Sequence, residues 1–254
     1  MIGAIAGDVV GSRFEAANHR RTDFELFHPD CRFTDDTVLT LATAEALLGD
    51  GDFSAAYRRW FRRYPDAGYG ASFRRWALSD RTGPYGSFGN GSAMRVSPVA
   101  EVAGDLDQTC QLAESSAAVT HDHPEGIRGA MAVASAVWLA RQGRGAKTIR
   151  SLLETRFGYR LEFDLVRLRA EYEFDVSCQG SVPRALWCAL EADSLEAALR
   201  LAVSIGGDSD TIACMAGALA EARFGAEAPI VTAVRERLDP LMVEVLDRFQ
   251  ERFG

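Results

Sequence analysis

The spacing of apolar residues follows the period of an α-helix along most of the chain. From Phe53, large apolar side chains recur at Tyr57, Trp60, Phe61 and Tyr64, with arginines on the opposite side. Such a pattern buries one helix face and exposes the other. The same period predicts further helices over residues 37–48, 107–119, 124–141, 146–157, 179–191, 194–204, 211–224 and 229–253. Alternating β-branched runs flanked by turn residues are absent, so the pattern predicts an all-α fold.

Two local features qualify this helical pattern. Pro240 falls within the last apolar stripe, and because proline lacks an N–H and clashes with the preceding turn, we expect it to kink or break that helix. Gly3, Gly7 and Gly11 recur at every fourth position. They therefore share one side of a helix, where we expect close contact with a second helix.

Composition and charge narrow the class of protein. The 254 residues are 47% hydrophobic and no Pro- or Ser-rich linker divides them. This is enough for one large core, so we expect a single-domain orthogonal bundle of many helices over residues 1–254. The net charge of −8 argues against a dedicated nucleic-acid binder, because phosphate contacts need clustered Lys and Arg.

Cysteine usage and hydropathy predict a cytoplasmic protein. Five cysteines form an odd number without a CxxC pair, which is typical of reduced, buried thiols. Asp8 interrupts the first apolar residues and no basic residue precedes it, which does not fit a secretion signal. No segment approaches the roughly 18 apolar residues of a membrane span. We therefore expect a soluble globule with no membrane partner.

Two acidic segments stand where apolar helices begin. They are Thr34-Asp35-Asp36-Thr37 and Asp208-Ser209-Asp210-Thr211. Aspartate and threonine are favoured helix caps, so each segment alone has a structural explanation. Capping uses one side-chain oxygen, however, whereas each segment carries two carboxylates that repel each other unless a cation neutralises them.

The donor atoms of these segments favour a hard divalent cation. They offer oxygen and no Cys or His, which suits Mg²⁺, Mn²⁺ or Ca²⁺ rather than Zn²⁺. Four carboxylates suffice for two ions roughly 3.5–4 Å apart. An EF-hand is excluded because no twelve-residue oxygen loop follows Asp208. A phosphatase with its nucleophilic Asp after a buried strand fits poorly, because residues 195–201 have a helical pattern.

A glycine-rich segment at residues 86–95 has two interpretations. It reads Gly-Ser-Phe-Gly-Asn-Gly-Ser-Ala-Met-Arg, and glycines let backbone N–H groups approach an anion closely. The same residues also form ordinary turns. Arg95, at the end of the segment, fits equally a binding residue and a structural ion-pair partner.

A pair of histidines, His121 and His123, precedes another predicted helix. Loop histidines are usually solvated, and this pair is also a candidate ligand set for a transition metal. The chain has only four histidines, and the acidic segments need none of them. The segment alone does not decide between these interpretations.

Together these segments resemble the ADP-ribosylglycohydrolases of the dinitrogenase-reductase-activating type. The matching stretches follow the family's order and cover essentially the whole domain; they are residues 7–11 with Glu15, 34–37, 86–95, 120–121 and 206–211. The resemblance implies an all-α domain with a di-metal cleft. In it, two Mg²⁺ or Mn²⁺ ions assist hydrolysis of the bond between ADP-ribose and an acceptor. Nucleic acid would enter only as a modified substrate, and we expect a monomer.

The resemblance also implies roles for individual residues. The implied metal ligands are Thr34, Asp35, Asp36, Asp208, Asp210 and Thr211. The implied contacts to ADP-ribose come from Gly86, Ser87, Phe88, Gly89, Asn90, Gly91 and His121, with Phe88 available for stacking. Glu15 matches an acidic residue that guards the metals, so proton transfer is expected from Glu15, Asp35 or Asp36.

The resemblance implies the ADP-ribosyl group of the substrate more clearly than it implies the acceptor to which that group is linked. The branch that cleaves arginine linkages often has Asp three residues before the loop Asn, where this chain has Ser87. The chain is therefore more similar to the branch that cleaves O-linkages. Two alternatives stay open, a hydrolase of O-acetyl-ADP-ribose or another free conjugate, and a non-enzymatic ADP-ribose-binding protein. The complete set of six ligands argues against the second.

Overall fold

The architecture is helical throughout, with no β-strand and a single isolated bridge between Gly89 and Ser177. The structure, a computed structural model, describes residues 1–254, and it confirms the all-α fold. Its helices are α1 (Ile2–Gly11), α2 (Asp35–Leu48), α3 (Phe53–Arg63), α4 (Ala71–Leu78), α5 (Gly91–Met94), α6 (Val99–Val102), α7 (Leu106–Ala118), α8 (Pro124–Arg141), α9 (Ala146–Phe157), α10 (Leu165–Glu171), α11 (Cys178–Glu191), α12 (Leu195–Ser204), α13 (Ser209–Phe224), α14 (Ala228–Arg235) and α15 (Pro240–Phe253).

The two central helices, α1 and α13, touch backbone to backbone. A Cβ atom added to Gly3 would lie 2.2 Å from the carbonyl oxygen of Gly217, and one added to Gly7 would lie 2.0 Å from that of Ala213. At Gly11 the obstacle is the Cα of Asp210, at 2.4 Å. The predicted glycine contact is confirmed, and it places the end of α1 beside the start of α13.

One hydrophobic core surrounds this helix pair. Its 75 buried residues run from Met1 to Phe249, so the elements from both ends of the chain pack together. Helix α13 is buried along most of its length, whereas α3 buries Phe53, Ala56, Tyr57, Trp60 and Phe61. It exposes Arg59, Arg62 and Arg63, as its sequence pattern predicts, while Arg58 is half-buried over the Trp76 ring. None of the fifteen helices combines the length and the apolar character required to cross a bilayer.

Several helix boundaries differ from those predicted. The apolar stripe over residues 229–253 is divided as expected from Pro240, because α14 ends at Arg235 and α15 begins at Pro240. Proline needs no N–H partner at a first helical position, and Asp239 caps the new helix by accepting from the N–H of Met242 at 3.0 Å. Helices α2 and α13 begin two residues earlier than predicted, so the acidic side chains lie within their first turns.

Candidate active site

Asp8, a buried residue of α1, anchors the first acidic segment. It accepts hydrogen bonds from the backbone N–H groups of Thr34 and Thr37, at 2.9 and 3.0 Å, and from both threonine hydroxyls, that of Thr34 at 2.6 Å. The Thr34 hydroxyl in turn caps α2 by accepting from the N–H of Asp36 at 3.3 Å. The start of α2 is therefore held against α1 by a single carboxylate.

Three of the six side chains predicted as metal ligands, Asp36, Asp208 and Asp210, bring carboxylate oxygens close together where α2 and α13 begin, whereas Thr34 and Asp35 belong to neither of the two groups described next. One group of carboxylate oxygens, within 4.8 Å of one another, comes from Asp8, Asp36 and Asp210. A second group with the same spacing comes from Glu15, Asp208 and Asp210. The Thr211 hydroxyl links the two helices by donating to Asp36 at 3.2 Å. Two segments 175 residues apart thus form one cluster of oxygen donors.

The acidic cluster has no basic side chain that would compensate its charge when its carboxyls ionise. Burial, and after it repulsion from neighbouring carboxylates, raise the pKa values of Asp35, Asp36 and Asp210 well above their ordinary range. No Lys or Arg forms an ion pair with any of them, and Oδ1 of Asp36 is buried without a hydrogen-bond partner. Oxygen-only donors with excess negative charge are the ligands that hard divalent cations require, so the residues present fit such ions.

The glycine-rich loop is fastened to both the second acidic segment and the start of α11. The N–H of Asn90 donates to the carbonyl oxygen of Val176 at 2.7 Å, and the N–H of Cys178 donates to that of Phe88 at 3.0 Å. The Asn90 side-chain amide donates to Asp208 at 2.7 Å and to the Ser181 hydroxyl at 2.9 Å. The loop is therefore a fixed wall of the site rather than an isolated surface turn.

A cleft of about 450 Å³ runs from the acidic cluster along this loop. Most of the predicted site residues line it; they are Glu15, Asp35, Asp36, Ser87, Gly89, Asn90, Gly91, His121, Asp208, Asp210 and Thr211. Gly86, Phe88 and Thr34 do not. The Phe88 side chain is 50% exposed and packs edge-on against His123, with ring centroids 5.5 Å apart. Its predicted stacking role therefore has no support from its position.

Other cleft residues were not predicted from the sequence. Gly68, Gly70 and Tyr85 form part of the wall, and the exposed side chains of Phe174 and Val176 stand at the cleft. Their segments carry no recognisable motif, because each enters the site only through the packing of the chain. Asp8 does carry a signal in the sequence, because it is a charged residue within an otherwise apolar and buried helix.

The two histidines have different environments. His121 is buried and lines the cleft, whereas His123 caps α8 by accepting at Nδ1 from the N–H of Glu125 at 3.1 Å. Neither belongs to a group of side chains spaced as metal ligands. The transition-metal interpretation of this pair therefore finds no support in the structure.

Glu15 separates the cleft from a second cavity of about 400 Å³. The cavities share Glu15, Asp35, Gly68 and Asp210, and the second is further lined by Arg32, Phe33, Thr34, Tyr64, Pro65, Asp66 and Ala67. Partial desolvation, then the charge of Asp208, raises the pKa of Glu15, and Arg32 opposes that shift. A ligand that occupies both cavities would therefore pass directly over the carboxylate cluster.

Comparisons with known proteins agree with this geometry. A family model for ADP-ribosylglycohydrolase matches residues 1–253. ADP-ribosylhydrolase ARH3 of Bos taurus is 29% identical, with 89% of this chain and 84% of that protein aligned, and ARH3 of Homo sapiens is 28% identical over the same shares. A solved structure described as an ADP-ribosylglycohydrolase-related protein complex superposes with a TM-score of 0.71 at 26% identity, covering 98% of this chain and 96% of the other.

The match extends over the complete helical domain and includes both acidic segments and the loop between them. The glycohydrolases of this family are hydrolases that act on glycosidic bonds of ADP-ribose. The chain belongs to the ADP-ribosylglycohydrolase family.

Proposed function

We propose that the protein hydrolyses the glycosidic bond between ADP-ribose and an acceptor oxygen, using two Mg²⁺ or Mn²⁺ ions. The observation that carries this proposal is the buried carboxylate cluster without basic partners, at one end of a cleft with a glycine-rich wall. We assign the ions to Thr34, Asp35, Asp36, Asp208, Asp210 and Thr211. Bound there, they would supply positive charge that orients the substrate's hydroxyl groups and polarises water.

The protein's own residues would hold the substrate in place. The backbone at Gly89 and Gly91 leaves room along the cleft wall, where an added Cβ would come within 3.8 Å of the His121 ring. We assign the diphosphate and its adjoining ribose to this wall, with Ser87, Asn90 and His121 as polar contacts. Asp8 and Asn90 act indirectly, since each fixes the position of one acidic segment. Such positioning of reacting groups supplies a large share of a rate enhancement.

Proton transfer is assigned to Glu15, with Asp35 and Asp36 as the neighbouring carboxylates. Glu15 stands at the junction of the two cavities, within 4.8 Å of Asp208 and Asp210 by its carboxylate oxygen. Its raised pKa brings the carboxyl closer to neutral pH, which suits a group that gives and takes a proton. Its position also places it beside a leaving group that extends into the second cavity.

The second cavity favours an amino-acid or peptide acceptor over an acetyl group. Its volume of about 400 Å³ far exceeds what an acetyl group fills. Arg32 and Asp66 line it without an ion-pair partner, so both charges are available to a polar acceptor. Hydrolysis of O-acetyl-ADP-ribose, the second candidate function, would leave this cavity unused. Ser87 supports an O-linked rather than an arginine-linked acceptor.

The cellular setting is part of the same proposal. All five cysteines are free and buried, which suits a reducing compartment such as the cytoplasm. We propose that the protein acts there as a monomer, since the cleft and both acidic segments are complete within one chain.

The proposed function is tested with matched substrates. Serine-linked, arginine-linked and acetyl-linked ADP-ribose would be incubated with protein in Mg²⁺, Mn²⁺ or EDTA, and released ADP-ribose quantified. We expect metal-dependent release, fastest from the serine-linked peptide. Asp210→Asn should abolish release and weaken metal binding while circular dichroism remains helical. Metal-independent release, or full activity of the variant, would overturn the assignment. Binding of ADP-ribose without release from any substrate would indicate a binding protein.

A further inference from the structure

Arg95 is a fully buried arginine without a carboxylate partner. Its guanidinium lies 4.1 Å from the centre of the Tyr57 ring, and Nη2 donates to the carbonyl oxygen of Ser116 at 2.9 Å and to the Thr120 hydroxyl at 2.8 Å. Nε and Nη1 have no hydrogen-bond partner. Burying an unpaired cation is unfavourable, and Arg95 lines the cleft of the candidate active site, so its position indicates a function beyond packing.

The Thr120 hydroxyl has one proton and two neighbouring acceptors. Because a guanidinium only donates hydrogen bonds, the hydroxyl oxygen accepts from Arg95, and its proton goes to the carbonyl oxygen of Ala117 at 3.4 Å or to Nδ1 of His121 at 2.7 Å. The Ala117 oxygen already accepts the N–H groups of Thr120 and His121, at 3.0 and 2.8 Å. The shorter distance, and the two hydrogen bonds that the Ala117 oxygen already accepts, therefore both favour donation of the Thr120 hydroxyl proton to Nδ1 of His121.

The His121 ring is consequently restricted to one tautomer. Burial, and after it the charge of Arg95, lower the pKa of His121 well below its ordinary value, so the ring is neutral at pH 7. A neutral imidazole that accepts at Nδ1 carries its proton on Nε2. Nε2 has no partner within the protein and faces the glycine loop, where Cβ atoms added to Gly89 or Gly91 would lie 3.8 and 3.5 Å away.

We propose that Arg95 and Thr120 are positioning residues that hold His121 as its Nε2-protonated tautomer, so that the ring donates a hydrogen bond to an oxygen of the ADP-ribosyl group. The relay runs from the Arg95 guanidinium to the Thr120 hydroxyl and from there to Nδ1. The opposite tautomer would present a bare nitrogen to an electron-rich phosphate or ribose oxygen. The identity of the ligand rests on the proposed function, whereas the relay itself does not.

The test reads the tautomer directly by long-range ¹H–¹⁵N correlation NMR, in which protonated and unprotonated imidazole nitrogens resonate apart. His121→Gln assigns the His121 signals among those of the four histidines. We expect Nε2 protonated and Nδ1 unprotonated in the native protein and in Thr120→Ser, which keeps the hydroxyl. Thr120→Val removes it and should shift the ring toward a mixture of tautomers. The proposal would be refuted if His121 of the native protein were protonated at Nδ1, or if Thr120→Val kept the same tautomer as the native protein.

Ligand affinity supplies a second readout that does not depend on turnover. Calorimetry with free ADP-ribose should show about tenfold weaker binding to Thr120→Val and near-native binding to Thr120→Ser. Equal affinities in all three proteins would refute the donated hydrogen bond. Should Thr120→Val fail to fold, the native and Thr120→Ser spectra still decide the tautomer. A protein that hydrolyses no ADP-ribosyl substrate but shows the Nε2 tautomer would contradict the proposed function and leave the relay supported.

Discussion

The side-chain amide of Asn90 donates a 2.7 Å hydrogen bond to Oδ2 of Asp208, 118 positions further along the chain. The bond ties the glycine-rich wall of the cleft to the carboxylate cluster. Asn90 is also held by the Ser181 hydroxyl, at 2.9 Å. A displacement of the loop would therefore move Asp208, and the binding of metal and of ADP-ribose should be linked through this amide.

Replacement of Asn90 by Ala should weaken both kinds of binding. Loss of a hydrogen bond that orients a metal-binding carboxylate typically costs about 10–100-fold in metal affinity or activity. We expect a reduction of that size in Mg²⁺ or Mn²⁺ affinity by calorimetry and in kcat. Ser181→Ala is the matched control, since it removes the other partner of Asn90 and leaves the contact with Asp208. Equal losses in both variants would show that anchoring of the loop, rather than the bond to Asp208, accounts for the effect.

Replacement of Asp8 by Asn should destabilise the start of α2. The carboxylate accepts four hydrogen bonds from Thr34 and Thr37, and an amide group turns its NH₂ toward some of these donors. Loss of two such bonds should lower the free energy of unfolding by about 3 kcal/mol. Urea denaturation of the metal-free protein measures this change. Thr40→Val, on the same helix, removes a buried hydroxyl without a partner and should leave stability unchanged.

Replacement of Gly7 by Ala should separate the central helix pair. The added methyl group would lie 2.0 Å from the carbonyl oxygen of Ala213, so α1 and α13 must move apart along their contact. We expect a loss of about 3 kcal/mol or more, seen as a lowered midpoint of unfolding or as insoluble protein. Gly145→Ala is the control, because nothing lies within 4 Å of its added Cβ and its φ is −71°. Similar stabilities of the two variants would contradict the close contact.

The stability of the metal-free protein should decrease as the pH rises. The pKa values of Asp35, Asp36 and Asp210 are raised in the folded state, so between the ordinary aspartate pKa of about 4 and the raised values the folded protein binds more protons than the unfolded chain. Stability then falls with pH throughout that window. The lowered pKa of His121 acts in the opposite sense below about pH 6.5, but it is one group against three carboxyls. In EDTA we therefore expect a lower Tm at pH 8 than at pH 5.

Metal ions should reverse this pH dependence. Cation binding requires deprotonated carboxylates and therefore strengthens as the pH rises. With excess Mg²⁺ or Mn²⁺, scanning calorimetry should show the greater gain in Tm at pH 8. Asp36→Asn removes one of the repelling charges, so the metal-free variant should show a weaker decline than the native protein. A metal-free Tm that rises between pH 5 and pH 8 would contradict an uncompensated acidic cluster.

Much of this arrangement was predictable from local sequence. The four-residue spacing of Gly3, Gly7 and Gly11 predicted the helix contact, and the two acidic segments predicted a shared site. These features are encoded locally. Glycines at every fourth position leave one helix face without side chains, and neighbouring aspartates concentrate negative charge, whatever the rest of the chain does. Pro240 likewise stands at the first position of α15, where its missing N–H leaves no hydrogen bond unmade.

Features that depend on long-range packing were not predictable in the same way. Asp8 orients Thr34 and Thr37 only because α1 lies against α2, and no pattern in residues 2–11 specifies that neighbour. Phe88 is predicted to be available for stacking on the ligand, but in the structure its ring packs edge-on against His123, a contact between two loops that the sequence does not specify. The second cavity combines residues of four separate segments, and its existence could be inferred only from the folded chain.

The unpaired charges of the second cavity should affect binding of the acceptor part of the substrate and not binding of the ADP-ribosyl group. Arg32 and Asp66 line the second cavity and are absent from the cleft. Loss of an exposed charge contact costs about 0.2–1 kcal/mol, so Arg32→Gln or Asp66→Asn should raise KM for an ADP-ribosyl peptide by about two- to fivefold at low salt. The same variants should leave KM for O-acetyl-ADP-ribose and the affinity for free ADP-ribose unchanged, because neither ligand reaches these side chains. Arg32→Gln should change kcat for both substrates alike, since Arg32 also opposes the raised pKa of Glu15. Arg62→Gln, on α3 and outside both cavities, serves as the control for a general charge effect. Equal changes in KM for the peptide and the acetyl substrate would place the acceptor elsewhere.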